Sequence, residues 1–197
     1  MRRLLWTISF ALALLAPTAA NATLEIKSKD KAFKKEVEKC LAHIDKVGGP
    51  SKDIVDKLRK SSKKHYIAKG SKNSTQSAND ADAAPKSVGG TGKGTDSKVK
   101  WNPKKKGKYK DGVERVPCKS LLHELVHSLQ IDEGRLDRTP GHNKIPKAEI
   151  EATSAENKFR LDQDAGHPQR TQYGKKKLPE SALHKKKEEK PTETPKA

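Results

Sequence analysis

The chain has 197 residues, of which 31% are hydrophobic and 35% are charged, and its formal net charge at pH 7 is +18. This composition excludes a large hydrophobic core and favours one modest domain with unfolded parts. Aromatic residues make up only 4% and no nucleic-acid-binding motif is visible, so the positive charge predicts non-specific binding to anionic surfaces and no specific nucleic-acid partner.

The N-terminus has the pattern of a cleaved signal peptide. Arg2-Arg3 precedes an apolar run over residues 4–16, and residues 20–22 (Ala-Asn-Ala) have the small-residue pattern of a signal peptidase site. The run is short for a bilayer and Pro17 interrupts it, so we predict cleavage after Ala22 and not a membrane anchor. The predicted location is the periplasm or the cell exterior. The sequence shows no second long apolar stretch, so no integral membrane segment is predicted in the mature chain.

Apolar residues at helical spacing predict a helix over residues 30–47 and a second short helix that Ser51 would cap. Short strands are predicted at residues 66–68 and 99–101, the latter as an edge strand that could pair with an extended substrate. Residues 70–96 are rich in Gly, Ser, Asn and Asp, which predicts a long flexible loop or a loosely ordered hairpin.

Cys40 and Cys118 are the only cysteines. In an oxidising compartment two cysteines favour one disulfide bond. The alternative is a pair of thiols that binds metal, which the wide separation and the absence of a C-x-x-C motif disfavour.

The C-terminal half contains two further predicted helices. The first begins at Pro117 and runs to about Ile131, and the second begins at Pro146 and runs to about Asp164. Residues 175–197 are mostly Lys, Glu, Pro and Thr, which predicts a disordered basic tail. Together these elements predict an α+β domain over residues 23–174, dominated by helices and with a small sheet.

The helix that begins at Pro117 contains the motif His123-Glu124-Leu125-Val126-His127. Residues four apart lie on one face of a helix, so His123 and His127 can bind one zinc ion. Glu124 lies beside that metal without being a ligand, where it can deprotonate a zinc-bound water. The alternative is a coincidence of two surface histidines around a glutamate.

A catalytic zinc normally has three protein ligands, so a third must come from another part of the chain. The extended metzincin pattern is excluded because Gln130 and Glu133 stand where it requires Gly and His. On the next helix, Glu149 and Glu156 share a polar row beside the apolar face, whereas Glu151 falls on a face that looks solvated. Glu149 is the predicted third ligand, with Glu156 as the second choice or as a partner of a ligand.

Other candidates for the third ligand rank lower. They are His142, His167 and Asp162, and the two histidines lie in loops beside Gly or Pro. Helical spacing alone does not exclude any of these residues as the third metal ligand.

Four motifs occur in a characteristic order: His123-Glu124-Leu125-Val126-His127-Ser128-Leu129, Glu149-Ile150-x-x-Thr153, Glu156-Asn157-Lys158-Phe159-Arg160 and Gln169-Arg170-x-x-Tyr173. In these motifs the chain resembles the effector-type zinc metallopeptidases of bacteria that include the NleD protease. The resemblance implies a zincin-like fold, one catalytic Zn²⁺ ion and hydrolysis of peptide bonds in a protein substrate. It implies the same zinc ligands and general base, with Ala148 where the family usually has an acidic residue.

Tyr173 and Arg160 are predicted to stabilise the oxyanion of the tetrahedral intermediate. The alternatives are a packing role for Tyr173 and a salt bridge from Arg160 to Glu156. The resulting hypothesis is a secreted or periplasmic metallopeptidase in which Glu124, as general base, acts on a zinc-activated water. Its rivals are a non-catalytic zinc-binding protein and a basic protein that binds the envelope or another surface.

Overall fold

The computed structural model describes residues 23–163 and 168–185. The predicted signal peptide, His167 and residues 186–197 of the predicted tail lie outside this part of the chain. Among the described residues, no helix combines the length and the apolar character needed to cross a bilayer.

A four-stranded sheet forms one layer of the domain. Its strands are β1 (Leu24–Lys27), β2 (His65–Lys69), β3 (Ser74–Ser77) and β4 (Ser97–Trp101), in the spatial order β1-β2-β4-β3. β1, β2 and β4 run parallel, and β3 pairs antiparallel with β4 at the edge of the sheet. The sequence prediction that residues 99–101 form an edge strand is therefore wrong: β4 lies between β2 and β3, and β3 is the edge.

In the described part of the chain, five α-helices accompany the sheet. They are α1 (Lys31–Val47), α2 (Gly49–Lys60), α3 (Asp80–Ala83), α4 (Pro117–Asp132) and α5 (Lys147–Gln163). The helices predicted from apolar spacing are present, although α2 begins at Gly49 and has no side-chain cap. The predicted class, a small helix-dominated α+β domain, is confirmed.

The segment predicted to be a flexible loop is ordered. Residues 70–96 contain β3, α3 and a 3₁₀ turn, and the amide of Thr95 donates to the carbonyl of Ile131 near the end of α4. Gly94 has a φ of +71°, and a Cβ there would lie 1.7 Å from the carbonyl oxygen of Asp132. Small residues in this segment thus permit close approach between backbones, which composition alone does not distinguish from flexibility.

Helix α4 lies at the centre of the molecule, between the sheet and helices α1, α2 and α5. The main core is formed by apolar residues of these elements: Phe33, Val37, Cys40, Ile44, Val55, Leu58, Ile67, Val99, Trp101, Leu121, Leu122, Leu125, Leu129 and Phe159. Since α4 is enclosed on most of its circumference, the two motif histidines are fixed by the packing of the whole domain.

Cys40 on α1 and Cys118 on α4 form a disulfide bond, as predicted. The bond closes a loop with a sequence separation of 78 residues and fastens α1 to the beginning of the central helix. It restricts the unfolded chain and thereby stabilises the folded state.

We expect the double substitution Cys40→Ala and Cys118→Ala to lower the free energy of unfolding by about 4 kcal/mol, because the unfolded chain regains the entropy of the closed loop. Urea unfolding at constant pH measures this change, and reduction of the unsubstituted protein with dithiothreitol serves as the control. A change below about 1 kcal/mol would contradict the expectation.

The domain continues beyond residue 174. Two short strands, β5 (Gln172–Tyr173) and β6 (Lys176–Lys177), form a hairpin, and Leu178 and Ala182 are buried against Ile145. The side chain of Asn157 on α5 donates to the carbonyls of Arg170 and Ala182. The predicted disordered tail is therefore wrong for residues 175–185, where isolated apolar residues among lysines reach the core.

Candidate metal centre

His123 and His127 lie one turn apart on α4, and Glu149 lies in the first turn of α5. The Nε2 atoms of the two histidines are 3.2 and 3.4 Å from Oε2 of Glu149. One possible ligand atom from each of the three side chains lies within 4.8 Å of the others. The two helices thus bring together the three residues that the sequence predicted as metal ligands.

The other ring nitrogen of His127 is hydrogen-bonded, and that of His123 faces a carboxylate. Nδ1 of His127 donates to Oε1 of Gln130 at 2.9 Å, and the amide nitrogen of Gln130 donates to the carbonyl of Ala148. Nδ1 of His123 lies 3.5 Å from Oε2 of Glu156. Partners of this kind fix the ring orientation and the tautomer, which leaves Nε2 available to a metal.

The electrostatics of the three side chains favour a cation. Burial raises the pKa of Glu149, but hydrogen bonds from His123 and His127 outweigh it and hold that pKa well below its usual range. Burial likewise lowers the pKa of His123, yet hydrogen bonds to Glu149 and Glu156 raise it to about 10. The neighbouring carboxylates thus favour positive charge at this place, which a divalent metal would supply.

Two imidazole nitrogens and one carboxylate oxygen are a donor set typical of catalytic zinc, which leaves one position open to solvent. The residues present therefore fit a zinc ion.

Glu124 is buried at the floor of the cleft beside these residues, and its Oε2 lies 2.8 Å from the hydroxyl of Thr75 on β3. The same hydroxyl lies 3.0 Å from the carbonyl of Glu124. The edge strand thereby orients the Glu124 carboxylate.

Tyr173, on β5, lines the cleft together with His123 and Glu124. Burial and the neighbouring Glu149 carboxylate raise its pKa above the ordinary value, so the hydroxyl keeps its proton at neutral pH. Its predicted contact with the oxyanion stays a prediction.

Arg160 is placed differently from the prediction. It is almost fully buried, and its Nη2 donates to Oε1 of Glu156 at 2.7 Å and to the carbonyl of Glu114 at 3.1 Å. Arg160 is not among the residues that line the cleft. The structure shows the predicted alternative, a salt bridge from Arg160 to Glu156, and does not bring Arg160 into the cleft lining for a contact with the oxyanion.

Glu156 is fully buried behind His123. In addition to Arg160, it accepts hydrogen bonds from Arg170 at 2.9 Å and from the hydroxyl of Tyr109 at 3.2 Å. Burial raises the pKa of Glu156, while the contacts with His123 and Arg170 outweigh it and lower that pKa. A carboxylate held in this way orients His123, which matches the second of the two roles predicted for Glu156.

The remaining candidates lie away from the three ligand residues. Glu151 pairs with Arg135 and is half exposed, as its helical phase predicted, and Asp162 pairs with Lys158 on α5. His142 lies in a 3₁₀ turn and does not belong to the metal-binding group.

Sequence reasoning missed the roles of Thr75, Gln130, Tyr109 and Arg170. Gln130 could have been found, because it lies three residues after His127 and hence on the same helical face. Arg170 belongs to the motif Gln169-Arg170-x-x-Tyr173, but the sequence did not suggest a role for it. For Thr75 no local pattern indicated a place in the site, since it comes from the segment predicted to be a flexible loop, and no element was predicted around Tyr109.

The family model Peptidase_M91, described as an effector protein, matches residues 20–190. No curated protein matches the chain. The match extends over most of the chain and confirms the resemblance to the effector zinc metallopeptidases that was based on four short motifs.

Proposed function

Since the chain belongs to the Peptidase_M91 family of effector proteins, we propose that it is a zinc-dependent metallopeptidase that hydrolyses peptide bonds in a protein substrate. The main support is the convergence of His123, His127 and Glu149 beside the buried Glu124. Zinc bound by these three side chains would supply a Lewis acid that lowers the pKa of water and polarises a carbonyl group.

Glu124 is the general base of the proposed reaction. Its carboxylate takes a proton from the attacking water and delivers it to the nitrogen of the departing amine. The Thr75 hydroxyl contacts only one of its two carboxylate oxygens, at 2.8 Å, so the other is available to the water.

The substrate is proposed to lie along β3. As the outer strand of the sheet it presents unpaired backbone groups, and Asn73, Ser74 and Thr75 line the cleft. An extended peptide can pair with such an edge, which would carry its scissile carbonyl past Glu124 towards Tyr173. β3 replaces β4 in the substrate-binding role that the sequence suggested for residues 99–101.

Tyr173→Phe is expected to lower kcat about 10- to 100-fold, because the developing oxyanion loses one hydrogen-bond donor. Steady-state kinetics on a cleaved peptide would show this with KM and bound zinc unchanged. A packing role for Tyr173 predicts instead that kcat stays constant, since Phe conserves the ring.

The decisive test of the proposal is hydrolysis of a mixed peptide library by the purified protein before and after chelation. Cleavage that stops with chelator and returns with one equivalent of zinc supports the peptidase. Zinc bound without any cleavage would favour the non-catalytic rival. The absence of stoichiometric zinc would favour a basic surface-binding protein.

We further propose that the protein acts in the periplasm or outside the cell. The signal-peptide pattern at residues 1–22 supports this location, and so does the disulfide bond, because disulfides persist in oxidising compartments. Mass spectrometry of the exported protein should find Thr23 at its N-terminus. An intact residue 1–22 segment would contradict the proposal.

A further inference from the structure

The cleft extends on both sides of His123 and Glu124, and its two halves differ in chemistry. Each half has a volume of about 330 Å³. One half contains the apolar side chains of Ile131, Leu136, Pro146 and Ala148 beside polar residues of β3 and the three metal-binding side chains. The other half is lined by cationic side chains, those of Lys105, Lys110, Arg115 and Arg170, around Tyr109. We call this second half the basic half of the cleft.

Three of these four cations are not neutralised by the protein. Among the residues that the structure describes, no carboxylate lies within 4.0 Å of Lys105, Lys110 or Arg115, whereas Arg170 is bound to Glu156 at 2.9 Å. The neighbouring Asp111 is not among the residues that line the basic half, and its Oδ2 accepts hydrogen bonds from two backbone amides, at 2.8 and 3.1 Å. Of the side chains that line the basic half, only Glu124 is acidic.

The basic half is also held in place. The guanidinium carbon of Arg115 lies 4.0 Å from the ring centroid of Tyr109, and the Tyr109 hydroxyl is bound to Glu156. The amide of Arg115 donates to the carbonyl of Gly107, which closes the loop that carries Lys110, and the amide of Lys105 donates to the carbonyl of Asn102. Stacking on an aromatic ring orients a guanidinium without removing its charge.

We propose that the basic half of the cleft is a subsite for an anionic side chain of the substrate, a carboxylate or a phosphate, on one side of the scissile bond. The inference rests on the proposed peptidase function. Uncompensated cations at fixed positions in a concave site favour an anion, and a guanidinium matches the two oxygens of a carboxylate or phosphate. In the other half of the cleft, the only lysine or arginine among the described lining residues is Arg138, which lies 3.7 Å from Asp80.

The test uses the zinc-loaded protein and peptides that differ at one position near a cleaved bond, where they carry Ser, Asp, Glu, phosphoserine or Lys. An anionic residue at one position, on one side of the bond only, is expected to raise kcat/KM about tenfold over Ser. Phosphoserine compared with Asp and Glu distinguishes the two kinds of anion. Equal rates for Ser, Asp, Glu and phosphoserine at every position would overturn the proposal.

Matched variants locate the preference. Lys105→Gln and Arg115→Gln should reduce the ratio of kcat/KM for the anionic peptide to kcat/KM for the Ser peptide. Lys104→Gln and Lys106→Gln are the controls, because these exposed lysines flank Lys105 without lining the cleft. A preference that persists in the Lys105 and Arg115 variants, or that falls equally in the controls, would overturn the assignment.

Failure of the peptidase function is distinguishable from failure of the subsite. If the protein cleaves none of the peptides, fluorescence anisotropy measures binding of the same peptides to the zinc-loaded chain. Tighter binding of anionic peptides that Arg115→Gln weakens, and Lys104→Gln does not, would keep the subsite while the peptidase proposal fails. Binding independent of peptide charge would overturn the subsite.

Discussion

Glu124→Gln is expected to lower kcat on the order of 10²- to 10⁴-fold while the protein still binds one zinc ion, because only the proton acceptor is lost. Glu124 is not among the three clustered ligand residues, and the Thr75 hydroxyl can bind the amide oxygen of Gln as it binds the carboxylate. Peptide hydrolysis and elemental analysis of the same preparation measure both properties.

Glu151→Gln is the matched control for this prediction. It removes a carboxylate from α5 that is half exposed and pairs with Arg135 outside the cleft, so it should leave kcat unchanged. Full activity of the Glu124 variant would show that another group accepts the proton. Loss of zinc from that variant would show that Glu124 is itself a ligand.

The second large effect concerns the third ligand. Glu149→Ala is expected to weaken zinc affinity by more than about 100-fold, whereas Glu156→Gln should weaken it about 10- to 100-fold, the range typical of a group that orients a ligand. Glu149 Oε2 lies between the two Nε2 atoms, while Glu156 reaches only the opposite ring nitrogen of His123. Competition with a chromogenic chelator measures both affinities.

The effects on stability should have the opposite order: Glu156→Gln should lower the free energy of unfolding more than Glu149→Ala. Glu156 is buried with Arg160 and Arg170, so its replacement leaves two buried guanidinium groups without a counter-charge and is expected to cost about 3–5 kcal/mol. Glu149 is partly exposed, and its ion-pair partners among the described residues are His123 and His127. Its replacement should therefore cost less stability. A Glu156 variant that loses more zinc affinity than the Glu149 variant, while still folded by urea unfolding, would reverse the assignment.

Where a feature depended on residues close in sequence, it could be predicted. The helix over Lys31–Val47 and the two helices α4 and α5 repeat apolar residues at helical spacing, and that spacing reports which face is buried. The same local geometry placed His123 and His127 on one face. Pairing of Cys40 with Cys118 was predictable for a different reason, since the chain has only these two cysteines.

Features that depended on close approach between distant segments could not be predicted in this way. Residues 70–96 look like a flexible loop because they are small and polar, yet Gly94 is small so that a backbone can pack against the end of α4. The edge position of β3 depends on strand order, which no short segment encodes. Residues 175–185 join the domain through only a few apolar contacts.

The sequence by itself determined the central helix, the two histidines with Glu124, and the set of acidic residues from which a third ligand could come. Tertiary structure alone decided that Glu149 meets both histidines, that Glu156 lies behind one of them, and that Arg160 is buried in a salt bridge with Glu156. The reason is physical. Helical periodicity determines on which face of its own helix a side chain lies. The distance from that side chain to a residue on another helix depends on how the two helices cross and pack.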